Sequence, residues 1–165
     1  MTGGKEISES DLILTSQQIE RMQGEPRVHF LNPNAQRIRK AIGDEVGLTR
    51  IGVHLVYIEP GRDSTEHHKH YNEEECIYGL SGRGTLRIGE EEFSFGEGDF
   101  VGFPAGSAAH SLKNSGDTTL VILVMGQRLA QDTADYPDKG KRLYRNYGTW
   151  DLVDLSSVTD PRGGI

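Results

Sequence analysis

From Arg50 to Met125 the chain alternates short stretches of β-branched and aromatic residues with glycine-bearing breaks. The stretches are Arg50 to Ile58, Glu75 to Leu80, Thr85 to Ile88, Glu92 to Phe95, Asp99 to Phe103 and Thr118 to Met125, with a further short one from His110 to Asn114. Runs of that length and composition, bounded by Gly, Asn and Asp, predict antiparallel strands. The breaks Gly89-Glu90-Glu91 and Asn114-Ser115-Gly116-Asp117 carry the residue types that tight turns require, and each is expected to close a hairpin. The middle of the chain shows no helical periodicity over a long span. A sandwich, barrel or jelly roll is therefore the expected architecture.

The pattern weakens on both sides, which divides the chain into an extension over 1–35, a β core over 36–126 and a tail over 127–165. One short helix is expected near Thr15 to Met22, with Thr15 or Ser16 capping its first backbone donors and Ile19 and Met22 on one side. The tail is polar, with Tyr136, Tyr144, Tyr147 and Trp150 as isolated anchors, and is expected to lie over the barrel or over a neighbouring subunit. Glycine, at 21 of 165 residues, is nearly twice its usual share of about 7%. Eight of these glycines fall between Gly79 and Gly106, without the fixed period of a solenoid or propeller.

A net charge of -7 makes nucleic acid and anionic membranes poor partners. The longest apolar run, Leu120 to Met125, is far too short to span a bilayer as a helix. The polar N-terminus lacks the features of a secretory leader, and the single Cys76 cannot close an intramolecular disulfide, so a cytoplasmic protein is expected. Cys76 reads as a structural thiol.

The chemistry concentrates in Glu66-His67-His68-Lys69-His70, followed by an acidic stretch ending at Glu75. In an extended chain His68 and His70 share one face, while His67 and Lys69 share the other. Glu75, opening the next strand, can return across a short connection to complete a face of two imidazoles and one carboxylate. His110, beginning another strand after the turn Phe103-Pro104-Ala105-Gly106-Ser107, is the candidate fourth ligand.

The run Gly61, His68-x-His70, Glu75, Gly82, and then Gly98, Pro104-x-Gly106, His110, Asn114, resembles the two motifs of the cupin superfamily. Glu75-x-x-Tyr78-x-Leu80-x-Gly82 is similar to the first motif, and Gly98-Asp99-x-x-x-Phe103-Pro104-Ala105-Gly106 to the second. Gly43-Asp44, Gly126-x-Arg128 and Tyr136-Pro137-Asp138 further resemble a group of small single-domain bacterial cupins. The resemblance implies an all-β double-stranded β-helix, a divalent metal (Fe, Mn, Ni, Co or Zn) held by His68, His70, Glu75 and His110, and a homodimer. Two spacings depart from the pattern: six residues separate Gly61 from His68, and three separate Gly106 from His110.

Four protein ligands leave up to two positions of an octahedral ion open to a substrate. The expected function is therefore metal-dependent catalysis on a small polar molecule, as an isomerase of a sugar or sugar phosphate or as a dioxygenase. The alternative is a non-catalytic module that binds or senses a small molecule. Isomerisation needs a proton shuttle, for which Tyr57, Tyr78, Glu59 and His54 are candidates, although His54, like His29, reads first as structural. A phosphate would call for a cation such as Arg62, Arg83, Arg87 or Arg128.

Overall fold

The computed structural model describes residues 8–163. A 3₁₀ turn and helix α1 (Ser16–Arg21) lead into strands β1 (Glu25–His29) and β2 (Asn32–Lys40). The single turn α2 (Ile42–Glu45) precedes β3 (Ile51–Ile58), β4 (Lys69–His70), β5 (Glu75–Ser81), β6 (Arg83–Ile88) and β7 (Glu91–Gly96). Then come β8 (Phe100–Phe103), β9 (His110–Lys113), β10 (Leu120–Gln127), β11 (Gln131–Tyr136), β12 (Lys141–Asn146) and β13 (Thr149–Asp154). Helix α1 starts as its sequence predicts: the Thr15 hydroxyl accepts from the Gln18 amide at 3.3 Å, and Gln18 answers with its own side chain to the Thr15 amide at 2.8 Å. No helix among the described residues is long and apolar enough to cross a membrane.

The strands form a six-stranded sheet in the order β1-β2-β3-β10-β5-β8, a three-stranded sheet β7-β6-β9, and a four-stranded sheet β13-β12-β11-β4. Every pairing is antiparallel. The inner faces of the first two sheets meet in a core of Val56, Ile58, Ile77, Leu86, Leu112 and Ile122, with Phe95, Phe103 and Leu120 completing it. This arrangement is a jelly-roll barrel, one of the architectures the alternating pattern allows and the one the resemblance implies. Parity decides which side chains enter: Val56 and Ile58 of β3, Ile77 of β5 and Ile122 of β10 are buried, while Tyr78 and Leu80 between them are exposed.

At Gly79 an added Cβ would lie 1.8 Å from the Gly96 carbonyl oxygen, so only glycine lets β5 pass the end of β7. Gly89, at φ 57°, turns β6 into β7 as a hairpin, as expected. The other expected hairpin, at Asn114 to Asp117, is not one. It carries the chain from the three-stranded sheet to the six-stranded sheet, because β9 pairs with β6 while β10 pairs with β3 and β5. The fully buried Asn114 holds this crossing, donating to the carbonyls of Ile58 and Thr118 and accepting from the Gly116 amide.

The flanks contribute more to the sheets than the hydrophobic pattern suggests. The boundary expected at residue 36 falls inside β2, a strand of the main sheet. The segment read as a tail folds into the meander β11-β12-β13, which attaches to the barrel through the pairing of Ala134 with His70. It brings its own small core of Ala134, Tyr136 and Leu143. Trp150, expected as a packing anchor, is exposed, with the Arg145 guanidinium over its ring.

Candidate metal centre

The segment from Glu66 to His70 runs extended along the edge of β9, with His68 exchanging two backbone hydrogen bonds with His110 at 3.0 and 2.7 Å. The period of two then turns His68 and His70 to the same side, where their Nε2 atoms approach to 3.1 Å. His67 points the other way, its Nδ1 3.2 Å from the Ser111 hydroxyl. Glu75, the first residue of β5, places Oε2 at 3.9 Å from His68 Nε2, 3.8 Å from His70 Nε2 and 3.7 Å from His110 Nε2. Donor atoms of His68, His70 and Glu75 all lie within 4.8 Å of one another. His110 joins this group through Glu75, and its ring stacks at 3.5 Å on that of Phe103.

The orientation of each ring is fixed from behind. His68 Nδ1 donates to the Glu66 carbonyl at 2.8 Å, and His70 Nδ1 donates to Asp132 Oδ2 at 2.6 Å. Both Nε2 atoms therefore carry lone pairs, and these face each other across a gap that calls for a proton or a cation. Both ring nitrogens of His110 are buried without a hydrogen-bond partner, an arrangement that is costly unless something else satisfies them. Two imidazoles and one carboxylate converge closely, and His110 faces the same carboxylate from outside that group; such a donor set suits a divalent transition metal, and these four residues are the ones that could hold it.

The electrostatics favour the same occupant. Burial, reinforced by His110, pushes the His68 pKa down to about 3, so the ring is neutral and ready to ligate at pH 7. Burial works against the Glu75 carboxylate, yet the surrounding histidines outweigh it and hold the group at about 2. At 3.7 Å the His110 contribution acts as a field on that carboxylate rather than through a hydrogen bond. For His70 burial lowers the pKa, but hydrogen bonding to Asp132 and the field of Glu75 raise it overall.

Asp132 lies in the polar tail, where no local pattern singles it out. Its Oδ2 accepts from His70 and from Arg145, and its Oδ1 accepts from the amides of Asn72 and Glu73. A second group of donor atoms, from His70, Glu73 and Asp132, lies beside the first. Arg145 already fills it, pairing with both Glu73 and Asp132, so this group is an ion-pair cluster that braces His70.

A cavity of about 230 Å³ opens beside the imidazoles, lined by Arg37, Arg39, His54, His68, Glu75 and His110 over an apolar floor that includes Val56, Ile77 and Ile122. A larger depression of about 530 Å³ lies among turns near Arg83, Glu97 and Asp117 and does not reach the histidines. Of the proton-shuttle candidates only His54 faces the cavity. Tyr78 is exposed on the outer face of β5, Tyr57 shares the outer parity of β3, and Glu59 binds Thr119 at the surface. Of the arginine candidates, Arg62 donates to Asn34, Arg83 lines the distant depression and Arg87 pairs with Asp138. Arg128 is nearer, 3.4 Å from His54 Nε2 and paired with Asp44 at 2.6 Å. The arginines that line the cavity, Arg37 and Arg39, lie at the start of the 36–126 core, ahead of the first strand the local pattern predicts. Cys76 has the opposite parity to Glu75, is half-buried, and has its thiol pKa raised by burial, as suits a structural thiol.

Comparison with known proteins agrees with this fold. A family model for the cupin domain matches residues 54–126. A crystal structure from Acidithiobacillus ferrooxidans, named as a proposed sugar phosphate isomerase, is 54% identical, with a TM-score of 0.91 over 93% of this chain and 98% of that one. Another from Silicibacter pomeroyi, named as a sugar phosphate isomerase from a cupin superfamily, is 29% identical, with a TM-score of 0.77 over 88% of this chain and 94% of that one. An uncharacterized protein of Methanocaldococcus jannaschii is 38% identical over 66 residues, 40% of this chain and 52% of that protein, so the match spans about half of the relative. The chain belongs to the cupin superfamily.

Proposed function

We propose that this cupin is a metal-dependent isomerase of a small sugar-type substrate, with His68, His70, Glu75 and His110 holding a divalent transition metal. The observation that carries the reading is the convergence of three imidazole Nε2 atoms on Glu75, with His110 left otherwise unsatisfied. The names of the two similar structures support the same substrate class. A bound divalent ion would supply Lewis acidity towards adjacent hydroxyl and carbonyl oxygens. His54 is the group on the cavity wall that moves a proton between neighbouring carbons. Burial, with Arg39 and Arg128 nearby, lowers its pKa, so at pH 7 it is a neutral base, and its Nδ1 is buried without a partner.

The test is elemental analysis of protein purified without added metal, followed by aldose–ketose interconversion assays on a panel of sugars and sugar phosphates. The reading expects about one metal per chain, turnover that chelators abolish, and a His54→Gln variant that keeps its metal but loses turnover. A metal-loaded protein inert towards the whole panel would overturn it.

A further inference from the structure

We propose that Arg37 and Arg39, side by side on the inner face of β2, form an anion-binding wall that takes the phosphoryl group of a phosphorylated substrate while its other end reaches the histidine cluster. This deepens the isomerase reading and rests on it for the placement of the sugar.

The burial pattern of β2 is inverted. In β2 the inward positions are Ala35, Arg37 and Arg39, and the outward ones include Gln36 and Ile38, with Ile38 41% exposed. A strand that turns its arginines in and its isoleucine out works against its own burial energy, which points to a use for the charges. The register explains where they go: Arg39 pairs with Val56, one inward step along β3 from His54, and β3 leads through β10 to Glu75 on β5. Neither guanidinium is neutralised inside the cavity. Arg37 donates to the Ser64 carbonyl, an uncharged partner. Arg39 pairs through one nitrogen with Glu25, its neighbour across β1 and β2, at 2.8 Å, while its Nε is buried without a partner. Burial first, and then the neighbouring Arg39, lower the Arg37 pKa against the opposing field of Glu75. In a protein of net charge -7 the cavity is lined by two guanidiniums and the carboxylate of Glu75, with Glu25 pairing Arg39 from outside the lining. Planar forks with free N–H groups in a partly desolvated cleft match a phosphate monoester in charge and geometry.

The experiment is isothermal titration of inorganic phosphate into the protein as purified, with acetate and an unphosphorylated hexose as parallel ligands and metal content measured on each sample. Variants are Arg37→Gln, Arg39→Gln and, as a surface control, Arg62→Gln. Phosphate is expected to bind more tightly than acetate. Either cavity substitution should weaken it by about 10- to 100-fold, the loss of one charge-assisted contact, with metal content and thermal melting unchanged. The control should bind as the parent does. Arg39, tied only to an exposed glutamate, is the variant that tests the idea if Arg37→Gln disturbs the Ser64 loop. Phosphate binding that is absent, no tighter than acetate, or equal in the parent and Arg39→Gln would overturn the proposal. Turnover of unphosphorylated sugars with those results would leave the isomerase reading standing alone. Arginine-dependent phosphate binding without turnover would sink the isomerase reading and keep the anion site.

Discussion

Replacing Asp132 with asparagine removes one charge and changes almost no volume, yet the structure leaves the amide no comfortable orientation. Oδ2 accepts from His70 Nδ1 and from Arg145, while Oδ1 accepts from two backbone amides. Whichever end becomes the NH₂ group then faces donors. If it faces His70, the ring is driven towards the tautomer that protonates Nε2, the atom that should carry the lone pair. Loss of such a carboxylate behind a metal-ligating histidine typically costs 10- to 100-fold in affinity, so Asp132→Asn is expected to release metal about 30-fold more readily. Stability should fall as well. Breaking a buried ion pair costs about 3 to 5 kcal/mol, and because Arg145 keeps Glu73 the loss should be near the lower end, about 3 kcal/mol. With a urea slope of about 2 to 3 kcal/mol per M, the midpoint drops by about 1 to 1.5 M. Competition with a chromogenic chelator measures the first effect, and urea unfolding of chelator-treated protein measures the second. Metal affinity within twofold of the parent would refute the role assigned to Asp132.

Other substitutions separate the remaining parts of the account. His70→Ala should strip most of the metal, whereas His67→Ala, on the opposite face beside Ser111, should retain it; equal retention by elemental analysis contradicts the strand parity. Gly79→Ala drives a methyl group against the Gly96 carbonyl and should destabilise the barrel by about 3 kcal/mol, lowering the melting temperature by roughly 6 to 12 °C. Asp135 offers a pH test away from the imidazoles. Burial raises its pKa, but hydrogen bonds from Arg142 and Tyr71 outweigh this and hold it below 3.8 in the folded protein. A depressed carboxyl stabilises fully above its unfolded value and loses that contribution as the pH falls through the folded one. The stability gap between the parent and Asp135→Asn should therefore be present at pH 7 and close as the pH drops below about 4; a gap that widens on acidification contradicts the sign.

Much of the barrel could be read from local pattern, since strand periodicity, turn residues and the histidine spacing all sit within short windows of sequence. β3, β5, β7, β8 and β10 lie within a residue or two of where alternation and glycine breaks put them. What escaped was long-range pairing. Nothing local distinguishes the turn at Asn114 from a hairpin, because the distinction lies in β9 choosing β6 and β10 choosing β3 and β5. The same limit hid Asp132, which meets His70 only because β11 adds to the short strand β4. It also hid Arg37 and Arg39, whose inward parity shows only once Ile38 is seen to face out. His68, His70 and Glu75 stand out as candidate ligands because chemistry and spacing coincide there, and the family resemblance adds His110; the residues that orient and surround them come from strands far away in sequence.

The central claim is that one ion sits where His68, His70, Glu75 and His110 converge, and anomalous diffraction at the absorption edge of whichever metal elemental analysis finds tests it most directly. The account predicts a single peak within about 2.0 to 2.3 Å of the three Nε2 atoms and a Glu75 oxygen. A peak among His70, Glu73 and Asp132 instead, or metal-bearing protein with no peak at the four side chains, would contradict it.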